Sequence, residues 1–343
     1  MWLRSGYDLP VDMVSLGSGG PEVSRVGLGL MAMSGVYGPA DDRESVATIH
    51  AALDAGVVML DTGDFYGSGR NELLLREALR SRDRESVFIA VKFGVQRDPA
   101  GRLVGRDASP AAVQSSLAYS LARLGTDYVD LYQPARLDPR VPIEDTVGAV
   151  AEMIQAGYVR WLGLSEMGAE TIRRAHAVHP VSALQIEYSL MSRGIEDAIL
   201  PCVRELGIAV TAYGVLARGL LSTASARDVG PDDPRRRFPR FQGENLERNL
   251  GLVAALDSVA ERHGVSAAQL AIAWVLSRGS DVIPLIGTKR RDRLAEALAA
   301  LTVELSPADL AAIEAAVPAG EVAGDRYEAA GMRSLDSERR PSG

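Results

Sequence analysis

Three residues in the first third of the chain have the types needed to manage one proton. Asp61 and Tyr66 stand close together in "LDTGDFYGSGRNE", and Lys92 interrupts the apolar run "VFIAVKFGV". A free tyrosine ionises near pH 10 and is a weak acid at neutrality. An ammonium within a few ångström favours the phenolate, and a carboxylate keeps that ammonium charged and aimed. Such a trio would protonate an alkoxide as it forms. Composition singles out Lys92: of 37 lysines and arginines only Lys92 and Lys289 are lysine. A compact ammonium suits a single phenol oxygen better than the planar guanidinium fork does. The plainer alternatives are a lysine snorkelling from a strand edge and an aspartate capping a helix.

The elements that must position these residues alternate along the chain. Short β-branched or apolar runs predict strands at 25–30, 57–61, 87–92, 128–133, 158–165, 183–188, 207–213 and 281–287. Helical patterns fall between them at 42–55, 71–80, 110–123, 144–156, 169–178, 196–206 and 247–277. Ser109 as N-cap, Pro110 at the first helical position and Gly125 at the end bound one helix by sequence alone. Eight strand–helix alternations fit a closed (β/α)8 TIM barrel or an open doubly wound sheet. The open sheet would favour a G-x-G-x-x-G turn after its first strand, and neither "GSGGPE" nor "GLGLMA" has that spacing. The barrel is expected, as one domain over 1–343 with its core at about 22–318 and a tail at about 319–343. A Pro-, Gly- and charge-rich stretch, 222–245, reads as a long loop after strand seven, and the tail as a surface-running end.

Composition narrows the setting. A net charge of −8 argues against a general nucleic-acid partner, which needs a basic footprint. The single cysteine, Cys202, excludes an intrachain disulfide and a multi-cysteine metal site, and no metal is expected. The start lacks an apolar signal core, and no run of about 18 apolar residues occurs. A cytoplasmic protein with no membrane partner is expected, while the oligomeric state is open.

In a barrel, chemistry belongs at the C-terminal ends of the strands. Those ends bring Asp61 and Tyr66 (strand two), Lys92 (three), Ser165 and Glu166 (five), Gln185 (six) and Tyr213 (seven) toward one mouth. The chain resembles the aldo-keto reductase superfamily through "GLGLMAMS", "DTGDFYGSGRNE", "VKFG", "DYVDLYQ", "GYVRWLGLS", "QIEYSLMSR", "AYGVLARGLL" and "IPLIGTKRR", in order over about 22–300. The resemblance implies a barrel that binds NADPH without a Rossmann fold and reduces a small-molecule carbonyl. It implies Tyr66 as proton donor, Lys92 as its partner and Asp61 as anchor. Ser165 and Gln185 would hold the nicotinamide carboxamide, Tyr213 would stack on its ring, and Leu216 and Gly219 would follow the pyrophosphate. Thr288, Lys289 and Arg293 would meet the adenosine 2′-phosphate and Glu296 the adenine, where a basic helix start attracts phosphate.

The sequence departs from the family pattern in three places. Ala135 replaces the usual active-site histidine and is followed by Arg136; Glu166 stands where many members have asparagine; Ala297 replaces a common asparagine. His50, His176, His179 and His263 fall on helices or before strand six, so none takes over the vacant slot. The runs "ARLDPRVPIE", "GLSE" and "EYSLMSRGIE" are closest to the pyridoxal-reductase branch, implying reduction of pyridoxal to pyridoxine or of a similar polar carbonyl. The loop and tail would close over the ligand, with Arg235–Arg237 near a phosphate. The competing reading is a nicotinamide-binding regulatory or sensor protein slowed by Ala135; a redox-neutral barrel lyase or isomerase is a third.

Overall fold

The computed structural model describes residues 11–222 and 233–339. Eight parallel strands close on themselves in sequence order: β1 Gly27–Gly29, β2 Met59–Gly63, β3 Phe88–Phe93, β4 Val129–Pro134, β5 Val159–Ser165, β6 Ala183–Glu187, β7 Ala209–Tyr213 and β8 Val282–Gly287. The circle is completed where Leu285 to Gly287 lie beside Gly27 to Gly29. All eight expected strands are present, and helices surround them as a (β/α)8 barrel requires.

The helices are α1 Asp42–Asp54, α2 Arg70–Leu79, α3 Pro110–Leu124, α4 Ile143–Gln155, α5 Ala169–Val178, α6 Ile199–Glu205, α7 Gly243–Arg262, α8 Ala267–Ser277, α9 Arg291–Ala299, α10 Pro307–Ala316 and α11 Ala329–Arg333. Helix α3 keeps the expected caps, with Ser109 accepting from the amide of Ala112 and Gly125 left-handed at φ 68°. The expected single stretch 247–277 is instead two helices. The chain turns at left-handed Gly264, and Ser266 and Gln269 then form a reciprocal capping box that starts α8.

Two hairpins lie outside the sequence expectation. Residues Met13–Ser15 pair antiparallel with Glu22–Ser24. Their Leu16 and Val23 join Met59, Phe88, Ala90, Leu131 and Ile283 in the apolar barrel interior, which plugs the N-terminal end. A second hairpin, Val95–Arg97 with Leu103–Arg106, follows β3 at the opposite end.

The barrel interior changes character along its axis, and the two-residue period of a strand sets the change. In β3, Phe88 and Ala90 belong to the interior cluster while Ile89, Val91 and Phe93 pack outward against the helices. The same parity points Lys92 inward. Met59 and then Asp61 follow one another on β2, Leu131 and Gln133 on β4, Ala183 and Gln185 on β6, Ala209 and Thr211 on β7. An apolar floor therefore carries a polar layer near the C-terminal mouth.

The tail does not simply run over the surface. Arg326, Leu335 and Asp336 are buried, because each polar group is met: Asn249 exchanges two 2.9 Å hydrogen bonds with the backbone of Ala323, and Gly168 donates to Asp336 at 2.8 Å. Among the described residues no helix is long and apolar enough to cross a membrane, and no group of three His, Cys, Asp or Glu side chains could hold a metal ion.

Candidate active site

Asp61 organises the polar layer. Its Oδ1 accepts from Lys92 Nζ at 2.5 Å and its Oδ2 from Gln185 Nε2 at 2.7 Å, so one buried carboxylate ties β2 to β3 and β6. Both members of the ion pair are almost wholly out of solvent, where a lone charge would be costly and a hydrogen-bonded pair is tolerated. Burial lowers the pKa of Lys92, and the Asp61 carboxylate opposes that shift.

Tyr66 enters from the turn after β2, directly before left-handed Gly67, Ser68 and Gly69. The ammonium of Lys92 lies 5.0 Å from the centre of its ring. The proton balance in the chain alone differs from a simple lysine-lowered phenol. Burial, and then the negative charge of Asp61, raise the Tyr66 pKa well above its ordinary value, and the cation pulling it down is Arg136. The ammonium of Lys92 is hydrogen-bonded to Asp61, whose own charge offsets it at the phenol before any negative charge develops there. Tyr66 is thus held fully protonated, as a donor must be before its acceptor arrives.

Around this centre several buried polar atoms have no hydrogen-bond partner among the described residues. They include Ser165 Oγ on β5, both amide atoms of Gln133 on β4, and Thr211 Oγ1 on β7. Ser165 lies beside Gln185 in the sheet register, and Gln185 beside Thr211. An orphaned hydroxyl next to an amide is a ready place for a primary carboxamide, which has both donors and acceptors. The donor set therefore fits the nicotinamide end of a dinucleotide.

The rim holds a second charge system that the sequence disclosed only in part. Glu166, in a left-handed conformation at φ 55°, takes the Arg326 fork at 2.8 and 2.6 Å. Tyr213 Oη and Ser337 Oγ each donate to it at 2.7 Å. These donors overcome the penalty of burial and pull the Glu166 pKa down to about 2. Glu187 pairs with Arg218 and Arg326 at 3.3 Å, and Tyr327 shares a 3.0 Å hydroxyl contact with Tyr213. Glu187 was readable as the next inward residue after Gln185; nothing in "GDRYE" signalled that Arg326 and Tyr327 return to the mouth.

The residues expected at the adenosine end sit apart from this set, on and after β8. Thr288 Oγ1 accepts from the amide of Arg290 at 3.2 Å. Lys289 donates to the carbonyls of Tyr37, Gly38 and Pro39 at 3.2, 2.9 and 2.6 Å. Arg293 pairs with Glu296 at 2.8 Å, and Glu296 also accepts from Ser266 at 2.9 Å. Leu216 and Gly219 lie in the turn after β7, bounding the short 3-10 segment Ala217–Gly219. Of the loop at 222–245, residues 223–232 fall outside the described residues, and Arg235 is paired with Asp233 at 2.7 Å.

A family model described as "Aldo/keto reductase family" matches residues 25–318. The chain belongs to the aldo/keto reductase family. It is 42% identical over 321 residues to "Probable aldo-keto reductase 1" of Glycine max, covering 92% of each chain. Among solved structures it is similar to a glycerol dehydrogenase from Gluconobacter oxydans, with TM-score 0.81, 29% identity and 97% and 98% of the two chains covered. It is also similar to a thermostable aldo-keto reductase solved with the inhibitor epalrestat, with TM-score 0.71 and 26% identity over 89% of this chain and 99% of that one. As an aldo/keto reductase the chain is an oxidoreductase of carbonyl and alcohol groups, in a family served by nicotinamide cofactors. Nothing in these likenesses favours the regulatory reading.

Proposed function

We propose that the protein reduces an aldehyde or ketone to the alcohol with NADPH, and that pyridoxal or a similar polar carbonyl is its preferred substrate. The observation that carries this reading is the buried Asp61–Lys92–Gln185 network beside protonated Tyr66, at the mouth of the barrel. The nicotinamide, when bound, supplies the hydride. Ser165 and Gln185 would hold its carboxamide, Tyr213 would pack on its ring, and the turn with Leu216 and Gly219 would follow the pyrophosphate. Thr288, Lys289, Arg293 and Glu296 would take the adenosine end.

Tyr66 orients the carbonyl oxygen by hydrogen bonding and gives it a proton as negative charge develops. A phenol is ordinarily a far stronger acid than an alcohol, which makes it a fit donor to a developing alkoxide. Asp61 and Lys92 act on the phenolate left behind: the ammonium stabilises it, and the carboxylate keeps the ammonium charged despite its burial. The apolar floor beneath excludes water from the layer. Arg326 and Tyr327 bring the tail to the same mouth, in keeping with a site closed by the C-terminal segment.

Following the absorbance of NADPH with a panel of neutral and polar aldehydes, pyridoxal included, tests the reading. Sustained turnover, fastest with pyridoxal or another polar aldehyde, is expected. Fewer than a few turnovers with every aldehyde, using either NADPH or NADH, would overturn it.

A further inference from the structure

Most of the cations gathered at the barrel mouth are paired among the described residues. Lys92 is matched with Asp61, Arg326 with Glu166 and Glu338, and Arg218 and Arg240 share Glu187. Among the described residues Arg136 forms no ion pair, and neither does Arg106, whose charge acts on it through space. The two hydrogen bonds of Arg136 go to neutral atoms: the carbonyl of Ala135 at 2.6 Å and Tyr327 Oη at 3.4 Å. Neither cancels the charge, and among the described residues three of the five N–H groups of the guanidinium have no protein partner.

Position makes this unpaired cation useful. Arg136 follows the end of β4 directly after Ala135, in a partly buried place. Its charge reaches Tyr66 and Lys92, the two groups nearest the expected carbonyl oxygen. Ala135 presents only a methyl group there, so the side chain that follows has room to meet a ligand. Burial disfavours the Arg136 charge, while Tyr213, Tyr327 and Glu166 offset that through space, so the guanidinium stays charged with a fork that no carboxylate occupies and that an anion can take.

We propose that Arg136 selects substrates carrying an anionic oxygen beside the carbonyl, either the carboxylate of a 2-oxo acid or the phenolate of an ortho-hydroxy aldehyde. This rests on the reductase reading and adds a substrate class to it. The carbonyl oxygen faces Tyr66 and the anionic oxygen lies on the Arg136 fork, flanked by Tyr327. The carbonyl carbon gains a hydride from the reduced nicotinamide and the oxygen gains a proton from Tyr66. The anionic group is unchanged, and Arg136 fixes its position without taking part in the transfer.

Two substrate pairs vary the charge beside the carbonyl, the anionic member of each being the less electrophilic: phenylglyoxylate against its methyl ester, and salicylaldehyde against 2-methoxybenzaldehyde at a pH where the phenol is ionised. In the native enzyme the anionic member of at least one pair is expected to have the higher kcat/KM. Arg136→Gln removes the charge beside Tyr66 and so lowers kcat for both members of a pair, but the anionic member is expected to lose about 30-fold or more beyond the neutral one, mostly in KM. Arg136→Lys should recover part of the loss, which a merely structural role would not produce. Discrimination in the first pair alone assigns a carboxylate, and in the second alone a phenolate. Equal kcat/KM within both pairs, or an equal loss for charged and neutral members in Arg136→Gln, overturns the proposal while leaving the reductase reading intact. Absence of turnover with all four compounds and the aldehyde panel sinks the reductase reading itself.

Discussion

Arg326 Nη1 and Nη2 lie 2.8 and 2.6 Å from the two carboxylate oxygens of Glu166, which joins the tail to the end of β5 through a buried bidentate pair. Removing one partner strands the other charge, which typically costs about 3–5 kcal/mol. Arg326→Met is therefore expected to destabilise the protein by about that amount in urea unfolding and to expose the tail to protease. The double variant with Glu166→Gln should recover part of the loss. Additive effects of the two substitutions would show that the pair does not act as a unit.

The same pair dictates an acid response. The Glu166 pKa falls from 4.5 to about 2 on folding, so its stabilisation is full above about pH 4.5 and is lost as pH drops toward 2. Protease sensitivity of the tail should rise across that window in the native protein and lose this pH dependence in Glu166→Gln. An unchanged profile in the variant would place the acid response elsewhere.

Tyr66→Phe keeps the ring and removes the proton. If Tyr66 is the donor, kcat should fall by about 10²–10⁴-fold while NADPH binding, read by quenching of protein fluorescence, stays within about twofold. Lys92→Arg keeps the charge but replaces a point contact with Asp61, at 2.5 Å, by a wide planar fork in a fully packed layer. It should be nearly as impaired as Lys92→Met; near-native turnover would mean that charge alone suffices.

Asp64 offers a test with the opposite sign. Burial and the neighbouring Glu72 raise its pKa from 3.8 to about 7, at a cavity of about 390 Å³ also lined by Asp107 and Ser116. A carboxyl that ionises more readily in the unfolded chain favours folding below pH 4. Its contribution is then lost progressively between about pH 4 and 7. Asp64→Asn removes that loss, so the variant should gain up to about 4 kcal/mol relative to native at pH 8, with the gain vanishing toward pH 4. Parallel stability curves for the two proteins would contradict the assignment.

How far the sequence revealed the site depends on how local each signal is. The eight strands were legible because apolar runs, glycine stops and helix caps are written within a few residues of where they act. The inward direction of Lys92 was less plain, since Ile89, Val91 and Phe93 are as apolar as Phe88 and Ala90, and the alternation is hidden in a strand buried on both faces. The Asp61–Lys92–Tyr66 grouping was recoverable only by assuming the barrel, which brings adjacent strand ends together. Arg326 and Tyr327 had no such signal: the one is buried and the other half-buried through pairing with Glu166 and Tyr213, more than a hundred residues away in sequence. The short N-terminal hairpin was missed for a related reason, because it is stabilised by Leu16 and Val23 entering the barrel floor rather than by its own pattern.

Lys289 provides the last prediction, because its ammonium already has three acceptors in the carbonyls of Tyr37, Gly38 and Pro39. Arg290 and Arg291 are likewise matched, with Asp292 and Glu44. If a 2′-phosphate is bound here, it must draw Lys289 at least partly away from the 37–39 turn, so phosphate recognition and the order of that turn are coupled. Lys289→Met removes both the phosphate contact and the tether. It should weaken NADPH binding by about tenfold or more, consistent with loss of a charge-assisted contact, and leave NADH binding within about twofold. It should also raise protease cleavage near residues 37–39 in the cofactor-free protein. Equal weakening of both cofactors would limit Lys289 to the tether, since a contact that cannot distinguish NADPH from NADH does not touch the 2′-phosphate.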